Sequence, residues 1–251
     1  AKSMPRLGLG SSLTGGITLS AAAAFSLSLD GTDDYVDIGD YSLGTSYTQL
    51  SVEAWVQISS SGGNKQVATK WNTGGQREWM LMINTSDKPL FQPSEATGSF
   101  GGGLNATGDA LSTDTWYHLV GTTDPDTGVR IYVDSVLKAT TSTKCANLHD
   151  GSAPILIGAE ATSGGASFFP GLIYSVAIWQ AEIDGDGVTA LYNSGTPIDA
   201  TQDSGNYDNS GDLFGYWSLN EGTGTTAVDY GSGGNDGSLE NDTAWSTSVP
   251  E

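Results

Sequence analysis

The chain has 251 residues and a formal net charge of −20, because 29 aspartates and glutamates outnumber nine lysines and arginines. This charge repels nucleic-acid phosphates and anionic membrane surfaces, and no run of 18 apolar residues occurs, so we expect no nucleic-acid partner and no membrane insertion. The single cysteine, Cys145, excludes an intramolecular disulfide, while 35 glycines and seven tryptophans indicate turn-rich β structure around an aromatic core.

Residues 1–24 show neither helical nor strand periodicity and predict an N-terminal arm. Four glycines interrupt their apolar stretch, which argues against a secretory signal peptide and indicates synthesis in the cytoplasm. A segment rich in Gly, Ala and Leu becomes ordered only against a partner, so we expect the arm to dock onto other proteins or onto copies of this chain. The residues expected to dock are Met4, Pro5, Arg6, Leu7, Leu9 and Leu13.

From Phe25 onward, short alternating segments separated by Asp- and Gly-containing turns predict β-strands. In Leu50–Ile58, every second residue is apolar and shares one face, and Trp55 lies on the other. Many strands at this spacing predict an all-β sandwich. Further strands are predicted at Gln66–Trp71, Glu78–Asn84, Trp116–Thr123, Val129–Val133, Val136–Ala139, Ile155–Ile157 and Phe168–Trp179.

Near the C-terminal end the pattern changes. A short helix is predicted near residues 186–193, because Val188 and Leu191 share one helical face. Residues 198–212 are polar and acidic and predict a linker on the surface. Apolar alternation then resumes, and the aromatic residues of 213–251 are too apolar to remain solvated, so we expect this segment to return to the sandwich.

Six segments between Phe25 and Trp245 match a known family in order and spacing. They are LSLDGTDDYVDIGD at 27–40, LSVEAWVQI at 50–58, TWYHLVGTTDPDTGVRIYVDSVL at 115–137, ILIGAE at 155–160, GLIYSVAIWQAEI at 171–183 and ALYNSG at 190–195. With these segments, the chain resembles the laminin-G-like proteins of the concanavalin A-like lectin/glucanase superfamily.

The resemblance implies an all-β jelly-roll sandwich of two antiparallel sheets with one short helix. Together with the patterns above, it divides the chain into four parts. These are an N-terminal docking arm at 1–24, a laminin-G-like jelly roll at 25–197, a polar linker at 198–212 and a C-terminal segment at 213–251 that completes the same sandwich.

Three features together make the resemblance more specific. They are the arm beginning PRLGLGSSLTGG, the strand with DG-x-DDYV, and ALYNSGTPID leading through the linker into LFGYWSLNEGTG. This combination is similar to laminin-G-like proteins among tailed-phage structural genes, and it implies a non-enzymatic virion component, in capsid decoration, head fibre or tail, that displays the jelly roll to host-surface glycans. The alternatives are a glycan-binding module of a secreted or cell-surface protein and, as a third class, a glycanase.

One acidic segment bears on the glycanase alternative. It is Glu182-Ile183-Asp184-Gly185-Asp186. Family 16 glycoside hydrolases share this fold and use an E-x-D-x-x-E or E-x-D-x-E strand, and retaining hydrolysis needs two carboxylates about 5–5.5 Å apart. Here the third acid is Asp186 rather than Glu, and glycines interrupt the strand. We therefore predict no catalytic residue.

Acidic side chains from the two ends of the sequence suggest a calcium site. Hard cations need several oxygen ligands, and the resemblance implies a rim calcium in some members of the family. The alternative is that these carboxylates only form Asx turns and cap exposed loops. The predicted ligands are Asp30 and Asp33 in the DGTDD turn and Asp229 and Asp236 in the C-terminal segment.

The segment KWNTGGQREW is the candidate glycan-binding surface. Trp71 lies beside a glycine-rich loop, where an exposed ring would stack on a sugar, and Arg77 supplies hydrogen-bond donors. Trp79 alternates with Leu81 and Ile83 and is expected in the core. The sequence therefore predicts Trp71 and Arg77 as the glycan-binding residues.

Overall fold

The computed structural model of the protein describes residues 24–44, 47–72, 74–95, 105–142, 144–145, 147–161 and 167–251. In these ranges the chain forms mainly short β-strands. The strands are β1 (Ser26–Asp30), β2 (Tyr35–Gly39), β3 (Leu50–Ile58), β4 (Lys65–Asn72), β5 (Gln76–Ile83), β6 (Pro89–Pro93), β7 (Ala106–Thr107), β8 (Trp116–Asp124), β9 (Gly128–Val133), β10 (Val136–Thr141), β11 (Ile155–Ile157), β12 (Pro170–Trp179), β13 (Leu213–Trp217), β14 (Thr226–Ala227), β15 (Gly237–Glu240) and β16 (Ala244–Ser246). The helices are α1 (Gly185–Tyr192) and two short 3-10 helices at Asn193–Gly195 and Ser210–Asp212.

The strands form two antiparallel sheets. The first sheet has the order β10-β9-β8-β3-β12-β1-β16, with β13 paired to the C-terminal part of β12. The second sheet has the order β14-β15-β2-β11-β4-β5-β6-β7. The predicted all-β jelly-roll sandwich is thus confirmed.

The main core lies between the two sheets and follows the alternation of the sequence. On β3, every second residue belongs to this core and is at most 1% exposed, as predicted. Trp55 lies on the opposite face, where its ring stacks on that of Tyr192. The inward residues of β3 are Leu50, Val52, Ala54, Val56 and Ile58.

A glycine on β8 lets the second sheet pack closely on the first. A Cβ atom on Gly121 would lie only 2.1 Å from Cγ of Phe91, which belongs to β6. The Phe91 ring is completely buried, and burial of such a side chain stabilises a protein by about 1.5–3 kcal/mol. Glycine at position 121 therefore provides the space that this ring fills.

The short helix is confirmed as α1. The carboxylate of Asp184 caps its N-terminus by accepting hydrogen bonds from the backbone N–H groups of Asp186, at 3.1 Å, and Gly187, at 2.8 Å. Asn193, in the left-handed conformation, ends the helix. Leu191 is buried against the outer face of the first sheet.

A second core lies on that outer face, beneath α1 and residues 198–212. Tyr207 is completely buried there, although the sequence predicts a solvated linker around it. Its hydroxyl accepts a hydrogen bond from Nε1 of Trp179 at 2.9 Å and donates to the carbonyl oxygen of Ala200 at 2.6 Å. The bond from Trp179 attaches the segment to β12, the bond to Ala200 holds the segment together internally, and its role as a linker stays a prediction.

The C-terminal residues 213–251 contribute strands to both sheets. In the first sheet, β13 pairs with β12 and β16 pairs with β1. In the second sheet, β15 pairs with β2. The two ends of the described chain therefore lie side by side in the sandwich.

Residues 1–23 lie outside the described ranges, and so do all the residues predicted to dock onto a partner. These are Met4, Pro5, Arg6, Leu7, Leu9 and Leu13. In the ranges that are described, no helix combines the length and the apolar character needed to cross a membrane.

Candidate functional site

Three tyrosines line an open cleft on the outer face of the first sheet. Its volume of about 300 Å³ lies at the lower end of the range for small-molecule sites. We call it the tyrosine cleft. Its lining residues are Tyr174, Pro197, Ile198, Asp199, Thr201, Tyr216, Ser218, Asn220 and Tyr230.

Strand register positions the first two tyrosines. Tyr216 lies on β13 opposite Ala177 of β12, and both residues belong to the second core. Tyr174 lies in the irregular part of β12, where the pairing with β3 shifts between Ile173 and Val176. Such bulges redirect side chains, and Tyr174 here lines the cleft.

Asp229 fixes the third tyrosine. Its carboxylate accepts hydrogen bonds from the backbone N–H groups of Tyr216 at 2.8 Å, Gly231 at 2.7 Å and Asn235 at 2.8 Å. The N–H of Tyr230 also donates to the carbonyl oxygen of Tyr216, at 2.8 Å. Tyr230 is therefore held beside β13, with its side chain 53% exposed and its ring centroid 6.4 Å from that of Tyr216.

The tyrosine cleft contains neutral phenols and one carboxylate. Burial raises the pKa values of Tyr174 and Tyr216, so both phenols stay protonated at neutral pH and offer an O–H donor as well as an acceptor oxygen. Asp199 accepts hydrogen bonds through Oδ1 from the N–H and the hydroxyl of Thr201, at 2.9 and 2.7 Å. The cleft thus combines flat apolar faces with several hydrogen-bonding groups.

The tyrosine cleft was not predicted from the sequence. Its tyrosines are far apart in the sequence, and only the pairing of β12 with β13 and the turn around Asp229 brings them together. The one sequence signal was Tyr230, an isolated aromatic residue in a stretch rich in Gly, Asp and Asn.

The residues predicted to bind glycans lie in the second sheet. Trp71 was expected to be exposed, and this expectation is wrong, because its ring is only 4% exposed and packs with Met80 and Met82. The guanidinium carbon of Arg77 lies 5.6 Å from the centroid of that ring, a cation–π distance. Trp79 is completely buried, as predicted. The binding role of Trp71 and Arg77 stays a prediction.

The DGTDD turn brings three carboxylates together. Ligand oxygens of Asp30, Asp33 and Asp34 lie within 4.8 Å of one another. Asp30 accepts a hydrogen bond from the N–H of Thr32 at 2.7 Å, and this bond lowers its pKa. Asp34 accepts from the N–H of Asp30 through Oδ2, at 2.9 Å.

Asp34 is the unusual member of this cluster. Its Oδ1 is buried and has no hydrogen-bond partner among the described residues. Burial raises the pKa of Asp34, and the negative charges of Asp30, Asp33 and Asp242 raise it further. Three carboxylates with an unpaired buried oxygen suit a hard divalent cation, so these residues fit calcium, whose binding stays a prediction.

The other two predicted ligands lie in the network behind the tyrosine cleft. Oδ1 of Asp236 accepts a hydrogen bond from the backbone N–H of Asp229 at 2.9 Å. The C-terminal segment instead reaches the DGTDD turn through Asn241, whose amide donates to the carbonyl oxygen of Asp33 at 2.5 Å. The chain ends therefore meet at this turn, as the calcium prediction supposed, but Asp229 and Asp236 do not join the carboxylate cluster.

The acids of the hydrolase-like segment are distributed over a loop and a helix start. Glu182 accepts hydrogen bonds from the hydroxyl of Thr127, at 2.7 Å, and from Nη1 of Arg130, at 2.8 Å. Asp184 caps α1, and Asp186 lies exposed in its first turn. Two of the three carboxylates thus hold other parts of the chain in place.

Comparison with known proteins identifies the same fold. The family described as the concanavalin A-like lectin/glucanases superfamily matches residues 30–189. Comparison with curated protein sequences found no match.

Two solved structures resemble the chain over most of its length. A candidate carbohydrate-binding protein from Bacteroides ovatus has 20% sequence identity and a TM-score of 0.67, and the match covers 91% of this chain and 61% of that protein. A heptameric SAP-like pentraxin from Limulus polyphemus has 14% identity and a TM-score of 0.53, covering 68% of this chain and 82% of the pentraxin. This chain therefore spans about three fifths of the Bacteroides protein, and at these identities the likeness establishes the fold alone.

Proposed function

We propose that this chain, which belongs to the concanavalin A-like lectin/glucanases superfamily, is a non-enzymatic protein that binds glycans in the tyrosine cleft. The observation that carries the proposal is the half-exposed ring of Tyr230 beside Tyr216, in a cleft that also contains Asp199 and Asn220. A sugar ring presents an apolar C–H face and polar edges, and an aromatic ring surrounded by hydrogen-bonding groups complements both.

The groups of the cleft have separable roles. The exposed face of Tyr230 stacks on the C–H face of the sugar. Asp199 has a second carboxylate oxygen beyond the one that accepts from Thr201, and this oxygen accepts from a sugar hydroxyl. Asn220 accepts from the N–H of Phe25 at 2.6 Å through its amide oxygen, and its amide N–H groups donate to sugar oxygens.

The cleft is built before the ligand arrives. Tyr216 is only 8% exposed, and the carboxylate of Asp229, which accepts from the N–H groups of Tyr216 and Gly231, ties the turn that carries Tyr230 to β13. Fixed side chains lose little conformational entropy on binding, which favours affinity from a small contact area.

The roles of other acidic side chains support a function in binding rather than catalysis. Glu182 forms an ion pair with Arg130, and Asp184 caps α1. Glu53 lies 3.0 Å from Nε2 of His118, and both of these side chains are buried. Each of these groups has a structural partner that accounts for its position.

Glycan-array screening followed by calorimetry tests the proposal. Tyr230→Ala removes the stacking ring and should weaken binding of the best array glycan at least about tenfold, which corresponds to about 1.4 kcal/mol. Tyr41→Ala is the matched control, because Tyr41 is also exposed, at 37%, but does not line the cleft. Absence of any bound glycan, or equal loss in both variants, would refute the proposal.

We further propose a tailed-phage virion as the setting of this binding, with residues 1–24 docking the protein onto the particle. The support is the sequence resemblance described above. Mass spectrometry of purified particles should detect the chain at a fixed ratio to the major capsid protein. A chain lacking residues 1–24 should fold and still bind glycan but should no longer join particles, and its normal incorporation would contradict a docking role.

A further inference from the structure

We propose that the tyrosine cleft selects an uncharged sugar unit and excludes units that carry a carboxylate, sulfate or phosphate. The inference rests on the proposed glycan binding and specifies its ligand class. Among the residues that line the cleft, Asp199 is the one charged residue. An anionic sugar entering there meets a negative charge and no lining cation.

The part of the chain that forms the cleft adds no lysine or arginine to offset the negative charge of Asp199. All the lining residues fall between positions 174 and 230, in a part of the chain that contains neither lysine nor arginine from residue 145 to its end. Four cations of the described ranges are bound in ion pairs with carboxylates that do not line the cleft. These cations are Lys65, Lys70, Arg130 and Lys138.

The negative charges of nearby carboxylates act on Tyr216 in the cleft. Burial is the main cause of the raised pKa of Tyr216, and the charges of Glu53 and Asp199 raise it further. The carboxylates of Glu53 and Asp199 thus act on a charge placed at the Tyr216 hydroxyl, and an anionic sugar beside Asp199 meets the same kind of repulsion. Repulsion of an unwanted ligand is a common source of specificity.

Hydrogen-bond chemistry favours the same ligand class. Asp199 offers only acceptor oxygens, and one of them is already engaged by Thr201. A neutral sugar hydroxyl donates to the other oxygen. A carboxylate, sulfate ester or phosphate supplies only acceptors at this point, so it loses the bond and adds repulsion.

Matched sugar pairs test the inference. Oligosaccharides ending in glucose or galactose should bind at least about tenfold more tightly, at low salt, than the same oligosaccharides ending in glucuronic or galacturonic acid, because the two differ only by CH2OH against carboxylate. High salt should reduce this difference in affinity, since it screens the repulsion between Asp199 and the sugar carboxylate. Asp199→Asn should narrow it as well, because it keeps an acceptor oxygen and removes the charge.

Asp208→Asn is the control for net charge. Asp208 is exposed and does not line the cleft, so this variant should keep the full difference in affinity. The uronic-acid forms could instead bind as tightly as the neutral forms, or more tightly, in a way that Tyr230→Ala abolishes. This result would overturn the inference and leave glycan binding in the cleft intact. Absence of any bound glycan on the array, or glycan binding that Tyr230→Ala does not change, would overturn the proposed function and the inference together.

Discussion

Tyr207→Phe should destabilise the protein, although it deletes a single oxygen atom. The hydroxyl accepts from Nε1 of Trp179 at 2.9 Å and donates to the carbonyl oxygen of Ala200 at 2.6 Å, and the whole side chain is buried. Its removal leaves one buried donor and one buried acceptor unpaired, each at a cost of about 1–3 kcal/mol. We expect a loss of about 2–6 kcal/mol in the free energy of unfolding.

Urea unfolding followed by tryptophan fluorescence measures this loss. In a protein of this size, each kcal/mol lowers the melting temperature by about 2–4 °C. Tyr230→Phe is the matched control, because it removes a phenolic oxygen from a side chain that is 53% exposed, and it should change stability by less than about 0.5 kcal/mol. Equal stability of the two variants would refute the view that residues 198–212 are anchored to the first sheet through Tyr207.

Three further predictions concern the core, the chain ends and the DGTDD turn. Gly121→Ala should cost about 3 kcal/mol in urea unfolding, because its Cβ would meet the Phe91 ring, and wild-type stability would contradict the close approach of the sheets. Deletion of residues 213–251 removes strands paired with β1, β2 and β12 and should cause aggregation or loss of cooperative unfolding, whereas a soluble truncation with an unchanged melting temperature would contradict it. The folded-state pKa of Asp34 is raised, so its ionisation lowers stability as pH rises through that pKa. Asp34→Asn should therefore raise the melting temperature in chelator at pH 7 and abolish the stabilisation by calcium expected of the wild type. If calcium, magnesium and chelator at matched ionic strength all leave the melting temperature of the wild type unchanged, the prediction of a cation at the DGTDD turn is wrong.

The sequence predicted the sandwich because burial on a strand repeats every second residue. β3 follows this rule throughout, and β8 and β9 continue it in the same sheet. The helix was predicted equally well, since the apolar face of α1 and the left-handed residue that ends it are local features. β6 is missing from the predicted strands because Pro89 and Pro93 bound it, and proline argues against a strand.

Contacts between distant residues could not be predicted from such patterns. The composition of residues 198–212 is polar, so nothing in it indicated that Tyr207 would reach Trp179. Trp71 looked exposed beside its glycines, yet Met80 and Met82 pack against its ring.

Acidic residues were the least predictable part of the candidate sites. A carboxylate that binds a cation and one that accepts backbone hydrogen bonds look alike in a sequence. Asp30 and Asp33 do lie in one cluster, while Asp229 accepts three N–H bonds behind the tyrosine cleft. The cleft itself depends on three tyrosines from separate segments, and no local pattern joins them.

A crystal structure of the protein with the tightest-binding array glycan would show whether the sugar binds in the tyrosine cleft. We expect a sugar ring to stack on Tyr230, with its hydroxyls in hydrogen-bonding contact with Asp199 and Asn220. A glycan bound elsewhere, for example against Trp71 and Arg77 on the second sheet, with the tyrosine cleft free of sugar, would contradict this expectation.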